Sequence, residues 1–343
     1  MALEQREWSR RLGVIQPMQF QAALTRFGLG DFVAASPITA GLFGQNVFVT
    51  STTGEYVLRG KPHYPWQFPA ERYFASLLHE RTQVPVPWPY LYDARSDIFG
   101  WPYVLMPRMP GLQLSDPEVV AQLRHQDRAG IAGALGANLA AMQALTWPVP
   151  GDYDAATDTI QPLPTSYPEH LRVALLRHLA LARGYNSRTT PEDCEWVRRV
   201  VDGAQTALSE PFRPCFVMTD YKEGNLTVRQ DGGASHVGGV FDLMEGAFGD
   251  GELDLYRQAW EYLDEDRSLV GAFLTAYVAA RPPRPGLLAR LPVYVLHDRL
   301  IDWEYFQRPT HAPYWDAALS LQQWVAPYIA RLLELAASVL TTQ

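Results

Sequence analysis

Three oxygen-bearing side chains, Asp220, Asn225 and Asp242, lie at a spacing that could do chemistry. Two short strand candidates follow Asn225, Leu226 to Arg229 and Val237 to Phe241, joined through Asp231, Gly232 and Gly233. Glycine supplies the positive φ angles that a tight reversal needs. Folding the segment back near Gly233 and Ala234 sets Asn225 opposite Asp242, with Asp220 on the loop just before them. An amide oxygen and a carboxylate at the open end of a hairpin suit a hard cation that keeps several waters. Mg²⁺ held by one or two protein oxygens and the phosphate oxygens of a substrate fits that description. The spacing Asp-x-x-x-x-Asn alone is also what an ordinary polar loop carries. The hairpin and its second acid give the spacing its chemical meaning.

Two further residues stand earlier in the chain. Arg59 ends a strand candidate after the apolar run Tyr56 to Leu58. Glu71 lies three residues before Phe74 and seven before Leu78, so on a helix it shares their apolar stripe. A carboxylate on such a face is costly unless paired. Arg59 on the preceding strand is a candidate partner, and the pair would leave a positive head for phosphate. Each residue could equally sit at an edge and reach solvent.

The elements that must position these groups fall into two parts. A helix is expected from Pro17 to Phe27, ended by Gly28 and Gly30. Strands follow at Phe32 to Ala40, Asn46 to Thr50 and Glu55 to Arg59, then a helix from Pro69 to Arg81. Two more strands are expected near Tyr90 and at Tyr103 to Met106, completing a five-stranded antiparallel lobe over residues 1–107. From residue 108 to 343 the pattern is mainly helical: Asp127 to Leu145, Glu169 to Arg183, Pro191 to Leu208, Glu252 to Asp264 and more beyond. One β segment, Pro214 to Asp242, interrupts it.

With these pieces in order, Asp220-x-x-x-x-Asn225 followed by Asp242 resembles the catalytic loop and metal-binding aspartate of the aminoglycoside phosphotransferase family, relatives of choline kinase and the protein kinases. Gly41 to Asn46, with Gly44, resembles the nucleotide-covering turn of that family, and Tyr56 to Arg59 its third strand. Glu71 resembles the helix glutamate, and Val84 to Pro87 the proline stretch after that helix. Trp101 to Gly111, with Met106 and Arg108, resembles the strand and hinge that contact the purine. Asp254 lies in a stretch resembling the acidic one that supports the catalytic loop.

The resemblance implies an α+β, protein-kinase-like fold with an antiparallel β lobe and a larger helical lobe. It also implies transfer of a phosphoryl group from ATP or GTP, with Mg²⁺, to a hydroxyl of a small molecule. Asp220 would orient that hydroxyl and accept its proton, and Lys222 would neutralise charge on the transferring group. Asn225 and Asp242 would hold the metal. Arg59, set by Glu71, would bind the α- and β-phosphates.

Met218-Thr219 stands where most members have His-Gly, and Lys222 and Gln143 each replace a common histidine. These departures leave room for a degenerate, nucleotide-binding relative. A protein kinase is disfavoured because no Arg precedes Asp220 and no Asp-Phe-Gly or Ala-Pro-Glu segment occurs.

Composition narrows the partners. The 343 residues carry 29 Lys plus Arg against 37 Asp plus Glu, a formal charge of −8, which disfavours nucleic acid and anionic membranes. A cationic acceptor such as an aminoglycoside-like antibiotic is compatible with that balance, as are a sugar, an amino alcohol or another metabolite. Acids and rings gather from Tyr294 to Trp315, where such a molecule could sit or where the rings could simply be core. Cys194 and Cys215 show no disulfide or zinc pattern, so a reducing, cytoplasmic setting is expected. Val270 to Ala280, read as the longest apolar stretch, falls short of the roughly 20 residues that a bilayer requires.

Overall fold

In the strand Asn46–Ser51, Val47, Val49 and Ser51 are buried while the side chains between them are half-buried. This two-residue period is that of a strand with one face on a core. The computed structural model describes residues 7–9, 11–38, 45–309 and 311–341. It places that strand in a five-stranded antiparallel sheet, in the order Phe32–Pro37, Asn46–Ser51, Gly54–Gly60, Tyr103–Pro107, Leu91–Asp93. Phe20 and Leu24 of the helix Pro17–Arg26 pack on one face against Val47, Val49, Leu58 and Leu105. On the other face Val104 and Met106 cluster with Phe68 of the helix Gln67–Arg81 and with Tyr90.

The chain divides into two compact units. The first comprises Met1–Arg124, Tyr153–Thr159 and Glu223–Gly246, and the second His125–Asp152, Ile160–Lys222 and Ala247–Gln343. Backbone pairing explains why the Glu223–Gly246 segment belongs to the first. Leu112–Gln113 pairs with Leu226–Asp231, and the Val240 amide donates to the Pro85 carbonyl at 2.8 Å.

Within that hairpin, Gly232 and Gly233 have φ of 61° and 86°, as a two-residue primed turn demands. Asp231 faces Ala234 and Val228 faces Val237, but Thr227 faces Gly239, so Gly238 is an extra residue on its strand. A side chain at Gly238 would put its Cβ 2.4 Å from the Pro110 carbonyl oxygen. The close passage of residues 109–110 thus requires glycine. The expected register is corrected: the reversal is centred on Gly232 and Gly233, not on Gly233 and Ala234, and with the bulge Asn225 lies opposite Phe241, whose amide donates to the Asn225 carbonyl at 3.1 Å, while Asp242 is the next residue.

In the second unit, helices His125–Met142 and Arg267–Ala280 pack together, as do Leu287–Phe306 with Tyr167–Tyr185 and with Leu321–Thr341. A small antiparallel sheet pairs Cys215–Val217 with Ala247–Gly249, and the latter with Gly151 and Asp152. Its strands are too short to show a period in the sequence. Leu321–Thr341, and not Val270 to Ala280, is the longest apolar segment. Among the described residues it alone is long and apolar enough to cross a bilayer, by length and composition. Its residues Leu321, Trp324, Val325, Ile329 and Leu332 recur every three or four positions and are buried within the unit.

Candidate active site

In the first unit, Glu71 is fully buried and its carboxylate collects donors from three directions. Arg59 Nη1 lies 2.9 Å from Oε2, the Tyr90 hydroxyl donates to Oε2 at 2.7 Å, and the Asp242 amide donates to Oε1 at 2.9 Å. Arg59 also pairs directly with the Asp242 carboxylate, so one guanidinium joins two acids. Burial works against the Arg59 charge, but Asp242 and Glu71 outweigh it and hold the group above its ordinary value. Burial likewise pushes the Glu71 carboxyl up, against the pull of Arg59, Tyr90 and the Asp242 amide. Tyr90 was legible in the sequence only as part of a strand; its hydroxyl, 19 positions from Glu71, gave no sign of this contact.

Asp242 itself sits at φ 66°, ψ 45°, the left-handed region that costs a non-glycine residue about 1 kcal/mol or more. The Glu71 carboxylate on its amide helps hold it there. Asn225 is buried, at the end of a short 3₁₀ turn, Glu223–Asn225.

The strand register sets Asn46, Arg59 and Val104 side by side, and Phe48, Val57 and Met106 in the neighbouring row. Met106 is buried, whereas the Arg108 guanidinium stands 4.0 Å over the Phe48 ring and 3.5 Å from Glu55. Arg59 Nε and Asn46 Oδ1 are buried without a hydrogen-bond partner among the described residues. An apolar row beside a buried cation with an unused donor matches the needs of a purine nucleotide. Gly44 and most of the turn Gly41 to Asn46 lie outside the described residues.

The oxygen donors of Asn225 and Asp242 fit Mg²⁺. They are hard oxygen ligands, the type that Mg²⁺ prefers. A metal with few protein ligands must take the rest of its shell from phosphates and water, the habit of Mg²⁺.

In the second unit, Asp220 is bound on both oxygens. Lys222 Nζ lies 2.8 Å from Oδ2, and Arg257 Nε donates to Oδ1 at 3.0 Å. Arg257 also lies 3.7 Å from Asp298, which pairs in turn with Arg299. Burial alone would lower the Arg257 guanidinium, but Asp220 together with Tyr256, Glu261 and Asp302 outweighs it and keeps the group above its ordinary value.

The loop that carries Asp220 is held from beneath. Asp254, fully buried, accepts the Met218 amide at 2.7 Å and the Thr219 amide at 2.8 Å. Thr219 has φ 70°, unusual for a β-branched residue, and the Asp254 carboxylate fixes it. Burial pushes Asp254 up to about 7. Gln143, one of the expected departures, donates to the Gly251 carbonyl and accepts from the Tyr277 hydroxyl, each at 2.7 Å. Met218 is fully buried. Two of the three replaced histidines, at 143 and 218, are thus absorbed into packing, while Lys222 pairs with Asp220.

Arg257 was not singled out from the sequence. Its signal was its place three residues after Asp254, one helical turn on.

The fold and these two clusters define a protein-kinase-like phosphotransferase architecture. A profile of the phosphotransferase enzyme family (APH) matches residues 34–288, about three quarters of the chain, and the protein belongs to that family. Among solved structures it resembles a candidate aminoglycoside phosphotransferase from Ralstonia eutropha, at TM-score 0.65 and 16% identity over 94% of this chain and 98% of the other. It also resembles a thermostable mutant of aminoglycoside phosphotransferase APH(4)-Ia in ternary complex with ADP and hygromycin B, at TM-score 0.59 and 14% identity over 93% and 97%. A third is wild-type aminoglycoside 2'-phosphotransferase-IIIa in complex with GDP, at TM-score 0.59 and 16% identity over 92% and 96%. No curated protein matches the chain in sequence.

Proposed function

We propose that the protein transfers the terminal phosphoryl group of ATP or GTP to a hydroxyl of a small molecule. The observation that supports this most is the cluster Arg59–Glu71–Asp242, within the matched family span. Arg59, fixed by Glu71, binds the α- and β-phosphates, and the row Phe48, Val57 and Met106 receives the purine with Arg108 at its edge. Asn225 and Asp242 would hold Mg²⁺, which when bound neutralises charge on the phosphates. Asp220 orients the acceptor hydroxyl and takes its proton, and Lys222 offsets negative charge at the transferring group. With no covalent intermediate on the chain, catalysis is mainly positioning and electrostatics.

The acceptor is best read as a molecule of low net charge. Asp220, Asp298 and Asp302 each carry a Lys or Arg partner, so none is left as a free counter-charge for a polycation. A sugar or amino alcohol fits this environment better than a polycationic antibiotic.

Calorimetric titration of Mg·ATP and Mg·GTP tests the reading. Wild type should bind at least one nucleotide, and Asp242→Ala should bind it at least tenfold more weakly. A wild type that binds neither would remove the proposal. Nucleotide binding with no transfer to any of a broad panel of hydroxyl compounds would favour the degenerate relative.

A further inference from the structure

We propose that Arg257 is a positioning residue of the reaction: it sets the rotamer of Asp220, so that the carboxylate meets the acceptor hydroxyl in one orientation. The inference rests on the phosphotransferase reading and adds to it a residue outside the catalytic loop. Arg257 lies in the first turn of the helix Leu255–Glu265, and the residue before that helix is Asp254. One short stretch therefore braces the loop twice. The Asp254 carboxylate fixes the backbone at Met218 and Thr219, and the Arg257 guanidinium fixes the side chain of the next residue, Asp220.

The brace is itself anchored. Only 17% of the Arg257 side chain is exposed, and Asp298 on the helix Leu287–Phe306 faces its Nη1 at 3.7 Å. Asp298 is tied in turn to Arg299, which is fully buried against the Trp260 ring at 4.4 Å.

Lys222 alone could neutralise Asp220, so charge balance does not require Arg257. Geometry does. The lysine offers one flexible ammonium, two residues away on the same loop. An arginine approaching the other oxygen from a rigid helix removes the remaining freedom of the carboxylate. A misplacement of about 1 Å at such a group can cost on the order of a hundredfold in rate.

The test compares Arg257→Gln, Arg257→Lys, Asp220→Asn and the double variant Arg257→Gln/Asp220→Asn. Turnover is read at saturating nucleotide with the acceptor chosen by the panel, or as phosphate release to water where none is chosen. Arg257→Gln should lower kcat on the order of 10- to 100-fold, with nucleotide KM and melting temperature near wild type. Arg257→Lys should recover part of the loss. In the Asp220→Asn background the glutamine should cost nothing further, because its effect runs through Asp220.

Full activity in Arg257→Gln, or losses that multiply in the double variant, would overturn the assignment. So would a kcat loss matched by a fall in stability. If Arg257→Gln does not fold, Asp298→Asn, which loosens the anchor, should show a smaller kcat loss that Asp220→Asn likewise masks; additivity there would also overturn it. Failure of wild type to bind nucleotide would instead remove the phosphotransferase reading.

Discussion

Replacing Asp254 by asparagine separates two contributions of this buried carboxylate, one that depends on pH and one that does not. Burial raises the group to about 7 in the folded chain, whereas an unfolded aspartate titrates near 4. Between those values the folded protein holds one proton more than the unfolded chain. The resulting stabilisation is full below pH 4 and is lost as pH rises through 7, by about 1.4 kcal/mol for each pH unit and about 4 kcal/mol in all. Asparagine has no such proton. Its single carbonyl oxygen can satisfy only one of the two amides, Met218 or Thr219, at a constant cost of about 1–3 kcal/mol.

Urea unfolding of both proteins between pH 4.5 and 8 measures the difference. Fluorescence serves as the probe, since Trp260, Trp303 and Trp324 are buried in the same unit. The gap between wild type and Asp254→Asn should narrow by several kcal/mol as pH rises. A gap that stays constant or widens would refute the reasoning, because it would mean that the two amides keep Asp254 ionised throughout.

Two further outcomes are expected. Asp220→Asn should leave nucleotide affinity within about threefold of wild type while reducing turnover by on the order of 10²–10⁴, the usual loss for a general base; single-turnover assays at saturating nucleotide check it. Glu71→Ala should destabilise the protein by about 3 kcal/mol in urea unfolding, since it strips a partner from Arg59, Tyr90 and the Asp242 amide together.

The sequence and the structure agree where a local rule sufficed. Glu71 could be placed because Phe74 and Leu78 define its helical stripe, and Arg59 because it ends the strand just before. The two glycines at 232 and 233 marked their turn. The hairpin register was misread by one residue, because the reversal was centred at Gly233 and Ala234 but lies at Gly232 and Gly233, two positions short, and because the bulge at Gly238, which recovers one of them, answers to Pro110, a neighbour in space and not in sequence. Arg257 and Tyr90 were missed for the same reason. An arginine on a helix and a tyrosine near a strand look ordinary until the carboxylate that each one meets is known. Helix was expected beyond Asp264, but the apolar length of Leu321–Thr341 was underestimated because Pro327, Arg331 and Glu334 interrupt its run, whereas the helix continues through all three.

The first unit is not a contiguous piece of chain. The Asp242 amide that Glu71 binds lies 171 positions further along, and Leu112–Gln113 finds its strand partner only at Thr227 and Val228. During synthesis the five-stranded sheet could form early, but the buried glutamate on the adjoining helix would wait for nearly half of the second unit to be made before its last donor arrived. A truncated gene product ending at residue 124 would therefore keep all five strands of the sheet and leave Arg59 and Glu71 without Asp242.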